Sequence, residues 1–485
     1  MMLLSQLAQV LGATLVGEDV RFSAVSSDSR AIKAGDLFVA LHGDNFDGSA
    51  FVASAAQGGA VAALVNKANY RAGSVSPCPV LLVEDTRLAL GRLAAHWRAQ
   101  FAIPLVAVTG SNGKTTVKEM LAAILREAAG HADAVLATQG NLNNDIGMPL
   151  TLLKLRASHR YAVIEMGMNH AGEIDYLTRL ACPDVAIVNN ASGAHLAGLG
   201  SVEAVARAKG EIFAGLSEQG TAVINADDVY APLWREKAGK RAIIEFGLEK
   251  KVAVHAQWQP QDYGARIEAN TPQGAFTANL QVPGVHNVRN ALAASAAALA
   301  LNIPLAAIAS GLENFSGVAG RLQRKAALQG AVMIDDTYNA NPASMRAALK
   351  VLAHASGKKI LVLGDMGELG SDAAQLHGEI GAEARRMGIN KLFALGELSA
   401  HAVEEFGTGA RHFEHIEDLL SRLEKELDAD TTVLVKGSRF MRMERVVAHC
   451  VVDGMGEEGS EKGESHARYR TSPLPLVPPL KREVH

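Results

Sequence analysis

The sequence predicts an α/β protein of three units, organised around a central and mostly parallel sheet. Three observations predict it. From Ile103 onward, short apolar runs at 105–109, 161–166, 184–189, 221–226 and 242–246 are separated by segments of helix length. That alternation is the signature of parallel strands covered by helices. Within it, Val106 to Val108 form a β-branched run that enters a turn with two glycines, and Val117, Met120, Leu121, Ile124 and Leu125 then recur at helical spacing. Finally, 485 residues are too many for one core and point to about three domains.

Bulk properties exclude several classes. The chain is 48% hydrophobic and 20% charged, an ordinary globular balance, and its net charge of −4 gives no electrostatic case for a nucleic-acid partner. Its three cysteines (Cys78, Cys182, Cys450) are scattered, which argues against a disulfide framework or a structural zinc site. No run approaches the roughly 18 apolar residues of a membrane span. Leu4, Leu7, Val10 and Leu11 read as one face of a short helix and not as a signal peptide. The expectation is a cytoplasmic monomer.

The first unit, 1–101, is a small α/β domain. It carries Ser27-Asp28-Ser29-Arg30 and Phe46-Asp47-Gly48, which in themselves are a polar turn and a hairpin corner. An amphipathic stretch from Thr86 to about Gln100 closes it.

The second unit, 102–314, opens with Thr109-Gly110-Ser111-Asn112-Gly113-Lys114-Thr115-Thr116 between strand and helix. The backbone N–H groups of such a turn and the helix N-terminus suit phosphate oxygens. Lys114 can reach terminal phosphates and Thr115 can place its hydroxyl on magnesium. The usual eight-residue pattern would need glycine where Val108 stands, so the match is to the shorter Thr-Gly-x-x-Gly-Lys-Thr. A P-loop ATPase-type sheet follows, whose ligands gather at the carboxyl ends of its strands. Glu165 ends one strand and is placed to hold magnesium beside Thr115. Thr138 precedes the Gly140-to-Gly147 segment, where Asn141, Asn143, Asn144 and Asp145 make either a polar binding loop or a well-capped turn. Spacing alone leaves His195 a loop histidine and Lys209 a solvated lysine on a helix from Val202 to about Leu216. After a β-rich excursion at 250–282, His286-Asn287-Val288-Arg289-Asn290 opens a helix from Ala291 to about Leu301. Asn287 and Asn290 are ordinary caps there, and equally good partners for an adenine edge.

The third unit, 315–452, is Rossmann-like. Its strands Val332-Met333-Ile334, Lys359 to Leu363 and Thr432 to Val435 each empty into a polar turn: Asp335 to Pro342, Gly364 to Glu368, and Lys436 to Arg439. Such turns build a second ligand-facing surface. From Asp453 the composition turns to Gly, Glu and Pro without periodicity, which reads as a disordered tail, 453–485.

These motifs together resemble the Mur ligase family, which builds the peptide of the bacterial cell-wall precursor, over Ser26 to about Val452. The features shared family-wide are the 109–116 turn, Glu165, His195, Lys209, His286 to Asn290 and Gly320-Arg321. The Gly140 to Asn144 segment, Asp335 to Pro342, Leu363 to Gly370 and Val435 to Arg439 resemble the branch that adds D-alanyl-D-alanine. There is no Asp-Asn-Pro-Arg, the pattern associated with diaminopimelate addition. Two positions depart from the family: Ser49 stands where histidine is usual, and Ser192-Gly193-Ala194 precedes His195 in place of Ala-Pro-Ala.

The resemblance implies ATP-dependent amide ligation through an acyl phosphate, with UDP-N-acetylmuramoyl-tripeptide and D-alanyl-D-alanine as substrates and magnesium as cofactor. It implies that Lys209 is carbamylated and binds magnesium with Thr115, Glu165 and His195. Lys114, Lys209, His195 and Arg321 would serve catalysis. ATP would lie on 109–116 with Asn287, Asn290, Arg321 and Asp336. The UDP-linked substrate would meet Ser27, Asp28, Ser29, Arg30 and Asp47. Thr138, Asn141, Asn143, Asn144, Tyr338, Asn339 and Asn341 would complete the substrate contacts. Two contrasting expectations are another ligase of the superfamily, adding the third residue or glutamates to folate, and a P-loop switch or motor, whose ATP hydrolysis needs no amine acceptor.

Overall fold

The computed structural model describes residues 1–43, 46–70, 76–193, 199–261 and 263–452. Three main sheets follow one another along the chain. The first has the order 14–16, 80–83, 62–66, 36–39, 24–26 and is parallel except at the 14–16 edge. Helix Thr86–Arg98 follows it, and the Asp85 carboxylate accepts the N–H groups of Arg87 and Leu88 as its N-cap.

The second sheet has nine strands in the order 274–280, 264–271, 254–261, 242–247, 221–225, 185–188, 105–109, 161–165, 135–137. It is parallel from 254–261 to 135–137, and the remaining two strands extend it as antiparallel hairpins. Leu105–Thr109 is wholly buried between the parallel strands Tyr161–Glu165 and Val185–Val188. The next two strands of the chain, 135–137 and 161–165, thus lie on one side of it, and the following one, 185–188, on the other. That is a switch point, where the connecting loops diverge and leave a crevice. Helix Lys114–Ala129 begins at the crevice and shares one apolar core with the alanine-rich helix Val285–Ala300.

The third sheet has the order 323–326, 332–336, 431–436, 358–364, 391–395, 410–413, parallel but for its first strand. Among the described residues no helix is long and apolar enough to cross a membrane.

The five expected strands of the second unit form within a residue or so of their expected ends. Four short strands escape sequence reading: 135–137, 323–326, 391–395 and 410–413. Three to five residues carry too little period to distinguish them. Two helices differ from expectation. The alanine-rich one starts at Val285, because Gly284 turns the chain with φ +92 and Asn287 Nδ2 donates to Pro283 O at 2.7 Å; His286 to Asn290 are thus its opening turns. The other is α-helical only over Val202–Lys209, then tightens to a 3-10 segment, Gly210–Gly215. There Glu211 is drawn off to the backbone N–H groups of Gly172 and Asp175 at 3.0 and 3.2 Å, and Thr178 Oγ1 donates to Ile212 O at 2.8 Å.

Candidate active site

The crevice opens into a cleft of about 1470 Å³ at the carboxyl ends of the second and third sheets. Ser111 to Thr116 form its floor, and Gly113 enters the helix with φ +78. A Cβ on Gly113 would stand 2.4 Å from Asn290 Oδ1 and 2.7 Å from Asn189 Nδ2. Both amides are buried and tied together, so they cannot yield. Gly113→Ala is therefore expected to displace the turn, raising the KM for ATP about a hundredfold and costing about 1–3 kcal/mol of stability. ATP titration and a melting curve check both.

An amide ladder holds this floor. Asn287 Oδ1 accepts from Asn290 Nδ2 at 3.1 Å, and Asn290 Oδ1 accepts from Asn189 Nδ2 at 2.9 Å. Asn189 and Asn190 both donate to Asn112 O at 3.0 Å, while Asn225 Nδ2 supports Asn189 O at 2.9 Å. Asn287 and Asn290 line the cleft as expected, with part of their hydrogen-bonding capacity already spent on each other.

Thr115 Oγ1 donates to Glu165 Oε2 at 2.8 Å, and Asn143 Nδ2 donates to Glu165 Oε1 at 2.8 Å. Arg321 arrives from the third unit: Nη2 is 3.0 Å from Thr115 Oγ1, and its guanidinium carbon lies 4.3 Å from the centre of the Tyr338 ring. Its Nε is buried without a partner among the described residues. Asn341, which caps helix Pro342–Ala353, donates to Asn112 Oδ1 at 2.9 Å. Asp336 pairs with Lys436 at 2.6 Å, and Lys436 Nζ also donates to Asn339 O at 2.8 Å. Burial pushes the Asp336 carboxyl up, against the pull of Lys436.

Two lysines face each other electrostatically. Lys114 Nζ donates to Gly110 O at 2.8 Å, and burial holds its pKa below the usual lysine value, with Glu165 opposing and Arg321 adding to the effect. Lys209 is only 1% exposed, and burial first, then Lys114, pushes its pKa well below the usual value. A lysine expected from spacing to be solvated is therefore in the core. Among the described residues it makes no ion pair, and no three His, Cys, Asp or Glu side chains gather as a ready-made metal cluster.

Of the expected site residues, Ser111 to Thr116, Asn141, Asn143, Asn144, Glu165, Asn287, Asn290, Arg321, Asp336, Tyr338, Asn339 and Asn341 line one cleft. Thr109, Gly110 and Thr138 lie behind its wall: Thr109 Oγ1 donates to Met166 O at 2.9 Å, and Thr138 Oγ1 accepts from Glu165 N at 2.9 Å. His195 lies outside the described residues, as does the tail from 453. The first-unit residues are not part of the cleft. Asp28, which follows Ser27, caps the short Ser29–Ala31 turn and pairs with the exposed Arg30, and Asp47 caps Gly48–Phe51. Sequence reading missed Asn189, Asn225 and Lys118. The signal for the two amides was available, since both stand at the carboxyl ends of central strands.

His286, also in the cleft, is held neutral: burial, Lys436 and Arg289 together lower its pKa to about 4. An unfolded histidine titrates near 6.5. The unfolded state therefore takes up the proton first, and stability present above pH 6.5 is lost as pH falls towards 4. Between pH 7.5 and 5 the protein is expected to lose about 1–2 kcal/mol more than a His286→Gln variant, a figure discounted for the ring edge that faces the cleft. Denaturant titrations at the two pH values measure it.

Comparison with known proteins places this geometry in context. Three family models match in succession: the Mur ligase family catalytic domain over 21–98, the Mur ligase middle domain over 108–298, and the Mur ligase glutamate ligase domain over 320–439. The UDP-N-acetylmuramoyl-tripeptide–D-alanyl-D-alanine ligase of Escherichia coli is 43% identical over 92% of this chain and 97% of its own. A crystal structure of MurF from Acinetobacter baumannii superposes with a TM-score of 0.84 at 38% identity, covering 92% of this chain and 97% of that one. The Thermotoga maritima MurF ligase, solved in complex with ADP, gives a TM-score of 0.77 at 28% identity over 88% and 96%.

Proposed function

Because the chain belongs to the Mur ligase family, we propose that it joins D-alanyl-D-alanine to UDP-N-acetylmuramoyl-tripeptide at the expense of ATP. The observation that carries the reading is the meeting of Thr115, Glu165 and Arg321 at one point of the cleft floor. The difficulty of the reaction lies in bringing a carboxylate to a triphosphate, since both are anions. The backbone N–H groups of 110–116, with Lys114 and Arg321, would gather the phosphates and neutralise their charge, which is most of what phosphoryl transfer asks of a protein. The tripeptide carboxylate then attacks the γ-phosphorus, ADP leaves, and the acyl phosphate is taken by the amine of the dipeptide, expelling phosphate.

Magnesium fits the donors present: a threonine hydroxyl and a carboxylate oxygen 2.8 Å apart are hard ligands of the kind it prefers. Thr115 and Glu165 would hold it with His195 and a modified Lys209, and bound there it would offset the negative charge shared by nucleotide and carboxylate. The modification is supported by burial. A lysine with a depressed pKa presents a neutral amine, whose lone pair forms an N–C bond with carbon dioxide; loss of one N–H proton leaves a carbamate. The site would thereby gain a second carboxylate-like oxygen ligand beside Glu165.

The domain assignment belongs to the same proposal: 1–101 for the UDP-linked end, 102–314 for ATP, and 315–452 for the acceptor, with Arg321 at the start of the last. Asn287 and Asn290 would take the adenine and Asp336 would attend the nucleotide. The Ser27 to Arg30 and Asp47 turns would meet the UDP end, while Asn141, Asn143, Asn144, Tyr338, Asn339 and Asn341 would border the peptide. A cytoplasmic monomer completes it.

ADP release from the full chain with ATP, magnesium and tripeptide tests the function, measured with and without D-alanyl-D-alanine. Release that requires both substrates, with a pentapeptide product by mass, is expected. Release indifferent to the dipeptide would overturn it in favour of a nucleotide switch. Diaminopimelate- and lysine-containing tripeptides run side by side define the donor.

A further inference from the structure

Lys118 is a further buried lysine at the cleft, and nothing in the mechanism above uses it. Its side chain is 1% exposed, although it sits on the helix that begins at Lys114. Its Nζ donates to Thr138 O at 2.5 Å and pairs with Glu119 Oε1 at 2.7 Å. Thr138 stands one residue beyond the edge strand Val135–Ala137, and its N–H is tied to Val163 O at 3.1 Å. Its hydroxyl accepts from the backbone N–H of Glu165 at 2.9 Å. The Glu165 carboxylate in turn accepts from Thr115 Oγ1, three residues before Lys118 on the same face of the helix.

These bonds close a ring: Thr115 to Glu165, Glu165 to Thr138, Thr138 to Lys118, and back along one turn of helix. The ring ties the helix to two strands already paired in parallel, 135–137 and 161–165. It fixes the backbone of Glu165, whose carboxylate is then held by Thr115 Oγ1 and Asn143 Nδ2, and a carboxylate set in place from both ends is what an oxygen-ligated cation site requires. A lysine is expensive to bury, so its placement here calls for a return.

We propose that Lys118 is a positioning residue for the magnesium site, fixing the Glu165 carboxylate through Thr138. The inference rests on the reading that Glu165 is a magnesium ligand. Removing the ring should loosen the cation site before it harms nucleotide binding as such.

The test measures Mn²⁺ affinity by electron paramagnetic resonance in the full chain with ADP, alongside the Mg²⁺ dependence of ligation. Lys118→Met is expected to weaken Mn²⁺ binding about tenfold or more, and to raise the half-saturating Mg²⁺ similarly. At saturating metal, kcat should recover to within a few-fold. Thr138→Val, which keeps the shape and removes the hydroxyl, should reproduce the shift, and the double variant should be no worse than either alone. Lys118→Arg should restore most of the affinity. Glu165→Gln separates the two premises. If it weakens Mn²⁺ while Lys118→Met and Thr138→Val do not, the positioning role is wrong. If Glu165→Gln has no effect, the ligand assignment itself falls. Should Lys118→Met not fold, Thr138→Val alone decides.

Discussion

Replacing Lys209 by alanine should abolish ligation, with kcat falling about a thousandfold or more, equivalent to ~4 kcal/mol in the barrier. The cause is specific. Lys209 is buried beside Lys114, where an ordinary ammonium would be both desolvated and repelled. As the proposed carbamate it would be an anion that attracts Lys114 and supplies an oxygen ligand. The alanine variant loses both, but leaves room near the amine's position for a small acid. Adding a short carboxylic acid such as acetate should therefore restore part of the activity. Wild-type activity in the variant would remove Lys209 from the site. Loss without any rescue, accompanied by a lowered melting temperature, would instead indicate a packing role.

Arg321→Ala is expected to lower kcat about a thousandfold while changing the affinity for ADP only a few-fold. Arg321 Nη2 touches Thr115 Oγ1 across the boundary between the second and third units, and its guanidinium is braced on the Tyr338 ring. A cation placed where charge is redistributed during phosphoryl transfer acts chiefly on the transition state, and such arginines contribute factors of about 10³–10⁵. Arg321→Lys should recover little, because an ammonium cannot brace flat on the ring and reach Thr115 together. Steady-state kinetics and ADP titration give the two numbers. An equal loss in ADP affinity and kcat would make Arg321 a nucleotide-holding residue without a special part in transfer.

The sequence made legible those features that local pattern determines. Leu105–Thr109 was recognisable because a strand buried on both faces is a continuous apolar run. Glu165 could be singled out because it closes such a run at the edge where ligands gather. Arg321 entered through resemblance, and the sheet arrangement then gives it a partner 206 positions away. What stayed hidden is tertiary. Ala206-Arg207-Ala208-Lys209 reads as part of a helix to about Leu216 with Lys209 solvated, whereas the α-helix ends at Lys209, Glu211 pins the next turn to the N-terminus of helix Glu173–Ala181, and Lys209 is buried. Lys118 carried no signal of its own: its Nζ reaches Thr138 O, just beyond an edge strand of three residues that no period announces. The asparagine ladder beneath Gly113 draws on three separate segments, so no window of sequence contains it.

The central claim is that the tripeptide carboxylate itself attacks ATP. Synthesising the tripeptide with ¹⁸O in its terminal carboxylate, and analysing the released phosphate by mass, tests it directly. One labelled oxygen transferred to each phosphate, only when D-alanyl-D-alanine is present to consume the acyl phosphate, is the expected result. Unlabelled phosphate from the same incubation would mean that water attacks ATP, and would contradict the assignment of the cleft to amide ligation.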